Sequence, residues 1–158
     1  MSDQPTAEER AAWQRRLASQ ANNRAWTLAE SSSRTPDEDD ELLEAANAAM
    51  FFWNIAGNAK QRANAAQLLA HAYALRGFGD AARHYFAKCE AVVFGDDAAP
   101  WERAMAHAIA ANVAAANFDA DAHRSHYAEA SRLVATLDSD DDRNVVCATL
   151  RVIPVPAK

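Results

Sequence analysis

The sequence predicts an all-α protein of about seven helices folded into antiparallel hairpins, and three observations carry that expectation. Half of the 158 residues are hydrophobic, but alanine is the commonest of them and β-branched residues are sparse before the last stretch. Alanine has the lowest helical cost of any residue. Four glycines and five prolines are too few for the many tight turns of a sheet-rich chain. Apolar residues recur three and four apart in segments that open with capping residues, which is the signature of amphipathic helices. The length suits one domain over residues 1–158, with 1–6 and 154–158 expected to fray.

A first helix is expected over residues 7–30, with Trp13, Leu17, Ala21, Ala25 and Leu28 as its apolar stripe. The serines at 31–33 end it. Thr35, Pro36 and Glu38 then supply a cap, a favoured first helical residue and the partner of a capping box, opening a second helix over 36–56. Its acidic start, 37–41, sits at the positive end of the helix dipole. Its end, MFFWNIAG, is apolar nearly all round, and Gly57 is expected as a left-handed stop. Asn58 and Gln61 form another capping box, opening a third helix that runs to Arg76. Gly77 and Gly79 make a turn into a fourth helix over 79–93. After a loop at 94–99, Pro100 and Glu102 start a fifth helix carrying Trp101, Met105, Ile109 and Val113. A sixth follows a turn at 118–121, and Ser139 caps a short seventh. Val145, Val146, Leu150 and Val152 in that last stretch also permit a strand, until Pro154 and Pro156 end regular structure.

Within the hairpin at 69–89, Leu69, Ala70, Tyr73, Gly77, Ala82, Phe86 and Cys89 follow a fixed order. It is large apolar, small, aromatic, turn glycine, small, aromatic, small, and it resembles the tetratricopeptide repeat. Ala66 stands where an aromatic often opens that motif. Ile109, Ala110 and Val113 echo the first three positions 40 residues on (109 minus 69), and His123, Tyr127 and Ala130 echo the later ones 41 on (123 minus 82). The difference predicts one extra residue in the turn at 118–121. The resemblance implies three hairpins and a cap, stacked as a right-handed solenoid. It also implies a concave groove in which polar residues of each first helix contact a protein or peptide. Asn64, Gln67 and His71 form one stripe on the third helix, His107 is placed beside Gln67 from the fifth, and Arg24 is their counterpart on the first.

The formal net charge of −6 disfavours nucleic acid and anionic membrane as partners. No apolar run follows the start as in a signal peptide, and none reaches the ~20 residues that span a bilayer. Cys89 and Cys147 lack metal-ligand spacing and read as reduced thiols, so a cytoplasmic setting is expected. A homodimer is compatible with this pattern.

Catalytic and cofactor signatures are not visible. No glutamate has a histidine three residues after it, which a di-iron helical bundle requires. Asp138, Asp140 and Asp142 begin like a calcium loop, but Arg143 and Thr149 occupy the places of its glycine and bidentate glutamate. No glycine-rich phosphate cradle or paired nucleophile stands out. The expected function is therefore a non-enzymatic protein- or peptide-binding module. Two alternatives remain open. His123 and His126, with Asp119 or Asp121, have the spacing for a metal-dependent enzyme, though His123 also matches a core position. A small-ligand regulatory domain would use a pocket lined by Trp26 or Trp53.

Overall fold

The computed structural model describes residues 4–157, and among them are seven helices and no strand. They are α1 (Ala7–Ala29), α2 (Pro36–Ala56), α3 (Ala59–Leu75), α4 (Gly79–Val93), α5 (Pro100–Ala116), α6 (Ala120–Thr136) and α7 (Asp140–Leu150). The predicted fold class is therefore the observed one. The β-branched stretch after residue 144 is helical as far as Leu150, with Val152 in the turn beyond it, because Ser139 accepts from the Asp142 amide (3.3 Å) and three aspartates occupy the first turn of α7.

Local signals set the starts. Thr6 with Glu9, Thr35 with Glu38 and Asn58 with Gln61 each close a reciprocal capping box at the head of α1, α2 and α3. Thr6 is thus tied down where fraying was expected. At the other end, the Pro154 carbonyl accepts from the His123 ring (2.8 Å). Residues 1–3 and 158 of the expected frayed ends lie outside the described residues. The loop between α1 and α2 is held by Arg34, which donates to the Leu28 and Ser31 carbonyls and to Asp39.

Gly57 does not adopt the left-handed conformation expected of it; its φ is −97° and ψ 163°. Glycine is required there by crowding, since a Cβ would lie 2.6 Å from the Trp53 carbonyl oxygen. Gly77 is the left-handed residue, at φ +75°, and the Phe78 amide closes back on the Tyr73 carbonyl (2.9 Å).

Each helix packs on its chain neighbour, and α1, α3, α5 and α7 also touch in series. Alanines at the crossings, among them Ala66, Ala70, Ala82 and Ala130, let the helices approach closely. Leu42, Leu68, Leu69 and Ile109 are fully buried between them, each contributing about 2 kcal/mol by leaving water.

The spacing between hairpins corrects the sequence register. α5 begins and ends 41 residues after α3 (100 minus 59, 116 minus 75), and α6 begins 41 after α4 (120 minus 79). The turns match at the same distance: Phe118 takes the left-handed place of Gly77, and the Asp119 amide bonds the Ala114 carbonyl as Phe78 bonds Tyr73. No extra residue lies in the turn at 118–121. Ile109 corresponds to Leu68 and not to Leu69, because two adjacent leucines leave the phase of the repeat ambiguous by one residue.

None of the helices is long and apolar enough to cross a membrane.

Candidate functional site

A pocket of about 600 Å³ opens where α1, α3 and α5 meet the loop that follows α4. Trp26 of α1 and Trp101 and Met105 of α5 form apolar walls, and Val93 adds the end of α4. Asn64 and Gln67 come from α3. Asn64 is exposed, but Gln67 is only 6% exposed and its Nε2 has no hydrogen-bond partner. Leaving a buried amide unpaired costs on the order of 1–3 kcal/mol; the nitrogen is enclosed, and a turn of the amide would bring it to the pocket that the side chain lines. Lys60 and Glu102 line the pocket as an ion pair (2.8 Å), and Glu102 also accepts from the Ala99 amide (2.8 Å). Those bonds outweigh the desolvation that opposes them and hold its carboxyl below the usual range. Glu30, Asp96 and Asp97 also line it, and Val145 adds a contact from α7.

The five residues expected to share a groove divide among four environments. Asn64 and Gln67 line the pocket. His71, one turn further along α3, is 1% exposed and lies beside Trp26, with ring centroids 6.1 Å apart. Asn112 Nδ2 donates to its Nδ1 (3.0 Å), which places the ring proton on Nε2, an atom without a partner. Burial, aided by the Arg34 charge, pulls the His71 pKa down to about 3, so the ring is neutral and internal. Arg24 is instead paired with Glu41 through two bonds of 2.6 Å, tying α1 to α2 away from the pocket. His107 packs on Phe94, with centroids 4.8 Å apart, and its Nδ1 meets His126 Nδ1 at 2.9 Å. It is therefore not the neighbour of Gln67 that the 40-residue offset made it. Burial is the largest cause lowering the pKa of both these histidines. One ring must donate and the other accept, so the contact survives one added proton and not two.

The pair His123 and His126 does not converge. His123 is turned to the Pro154 carbonyl and His126 to His107. Among the described residues, no three His, Cys, Asp or Glu side chains gather to hold a metal ion. Cys89 and Cys147 are free thiols, and burial pushes Cys89 up to about 12, which keeps it protonated and unreactive. Trp53, the other tryptophan considered for a pocket, packs with Ala18, Ala49 and Ala65 in the core.

The chain matches no family model, no curated protein and no solved structure.

Sequence reasoning missed Trp101, Met105 and the 95–98 loop as pocket residues, and Asn112 as the partner of His71. Asn112 carried a usable signal. It is the one polar residue in the run Ala108–Ala116 and lies 41 residues after His71. Trp101, Met105 and the 95–98 loop carried none, because separate segments build the pocket, of which the sequence pointed to Trp26, Asn64 and Gln67 alone.

Proposed function

We propose that the protein is a non-enzymatic binding module of the tetratricopeptide-like kind, in which the serially packed α1, α3, α5 and α7 form a concave face that receives a protein or peptide segment. The single observation that carries this is the unpartnered amide of Gln67 at a tryptophan-lined pocket between first helices. Two tryptophans and a methionine offer the apolar area that anchors a side chain, and a backbone carbonyl of an extended segment is the acceptor that Gln67 lacks. The spacing of 41 residues supports the repeat character and the resemblance supports the right-handed stacking. The reading places the protein in the cytoplasm, in keeping with two free thiols.

Selection of short peptides from a display library tests the proposal. Peptides enriched on the wild type should be lost on Asn64→Trp, an exposed position whose new ring would plug the pocket while leaving the core alone. Equal enrichment on both would put binding elsewhere on the surface. A regulatory small ligand is the second reading, favoured by the pocket volume, which lies within the range of such sites. Native mass spectrometry showing a bound small molecule in the wild type and none in Asn64→Trp would establish it instead.

A further inference from the structure

The charge of the pocket goes further than its shape, and its reading rests on the peptide-binding proposal above. Lys60 is the only cationic side chain in the lining and is already paired with Glu102. Nearby, Arg103 donates to the Gly95 carbonyl (2.9 Å). Glu30, Asp96 and Asp97 have no cation within ion-pair distance among the described residues. Three exposed carboxylates without a cation partner thus line an opening walled by Trp26 and Trp101, in a protein of net charge −6.

We infer that the pocket receives an arginine side chain of an extended segment in a partner protein. The guanidinium would lie against a tryptophan face and donate to the carboxylates, which is the pairing its flat, five-donor head is shaped for. Its three-carbon stem would cover the apolar wall. The carbonyl of the same segment would accept from Gln67 Nε2. That needs only a turn of the amide about its last torsion, the softest in the side chain. An acidic or neutral apolar segment offers the same carbonyl to Gln67 but leaves the carboxylates without a cation.

Tryptophan fluorescence and calorimetry on the full chain test this with blocked five-residue peptides that differ only at the centre. The arginine peptide should bind about tenfold more tightly than its citrulline counterpart, which keeps the shape and loses the charge. The difference should shrink as salt is raised, and it should vanish in Asp96→Asn with Asp97→Asn, two exposed loop positions. Glu30→Gln, on a different element, gives an independent second variant. Equal affinity for arginine and citrulline peptides, or a difference that survives both variants, overturns the inference while leaving the peptide-binding proposal standing. Propylguanidinium, the arginine side chain without a peptide backbone, should bind about tenfold more weakly than the peptide; equal binding would make the ligand a small organic cation and overturn the assignment to a protein segment. Failure of every peptide to bind would remove the proposal and the inference together.

Discussion

Hairpin α3–α4 and hairpin α5–α6 share the length of their first helix, their turn and the 41-residue spacing, and they differ at positions where the neighbour on one side differs. Where the first has Ala82, the second has His123; where the first has Gly79, the second has Ala120. The start of α4 is pressed against the end of α5: a Cβ on Gly79 would run into the Ala116 carbonyl, and Asn117 Nδ2 donates to the Gly79 oxygen (2.9 Å). Ala120, at the start of α6, is exposed. His123 reaches the tail at Pro154, while Ala82 lies at 0% exposure in the alanine-rich core. Equivalent positions keep their fold role, and residue size follows what packs over them.

Exchanging glycine and alanine across the two hairpins is the harshest way to break that correspondence. Gly79→Ala should lose about 3 kcal/mol of stability, because the clash is with backbone and not with a flexible side chain. Ala120→Gly should lose less than about 1 kcal/mol. Urea denaturation of both variants checks the contrast, and equal losses would show that the two helix starts are equally crowded.

The next effect is smaller and depends on pH. His71 in the folded protein has a pKa of about 3, below the ordinary value of 6.5. Between those values the unfolded chain takes up a proton that the folded chain refuses, so stability falls as pH drops from 6.5 towards 3. The slope this single group can add approaches ~1.4 kcal/mol per pH unit. His71→Gln should flatten the acid limb of a stability profile measured from pH 7 to pH 4, whereas Asn112, its counterpart in the second hairpin, cannot titrate. Parallel profiles for wild type and His71→Gln would mean that acid sensitivity comes from other groups.

The smallest effect has opposite signs in the two turns. Gly77 has open space where a Cβ would go, so Gly77→Ala should cost about 1 kcal/mol through backbone conformation alone. Phe118 already holds the left-handed conformation, at φ 59°, with its ring 96% exposed. Phe118→Gly should therefore gain about 1 kcal/mol. Thermal melting of both variants should show one shift down and one up; a loss in Phe118→Gly would point to a packing role for the ring.

These particulars also show what was legible in the sequence. Caps such as Thr35 with Glu38 and Asn58 with Gln61 act within one turn of chain, so helix starts could be read directly. The repeat was visible, but its phase was not, because Leu68 and Leu69 are both apolar and either could match Ile109. The stripe of Asn64, Gln67 and His71 was real as helical spacing. Whether each member faces a pocket or the interior depends on where α1 crosses α3, and Trp26 covers only the last of them. The acidic loop at 96–97 gained meaning only beside tryptophans more than 70 residues apart in the chain (101 minus 26).

His71 and Asn112 hold the same place in successive hairpins and touch one another, so that place carries one polar rung between the two hairpins. A rung of this kind has a polarity. Asparagine can accept from one rung and donate to the next, and a neutral imidazole does so only with its proton fixed on one nitrogen. Here the donor runs from Asn112 to His71, and the polar contacts end at the unpaired Nε2, where α1 supplies Trp26 and no polar rung. The hairpins are therefore ordered and not interchangeable. Lengthening the array by copying the asparagine hairpin would keep every rung in phase, whereas copying the histidine hairpin would add a second fixed tautomer to an interior already short of one acceptor.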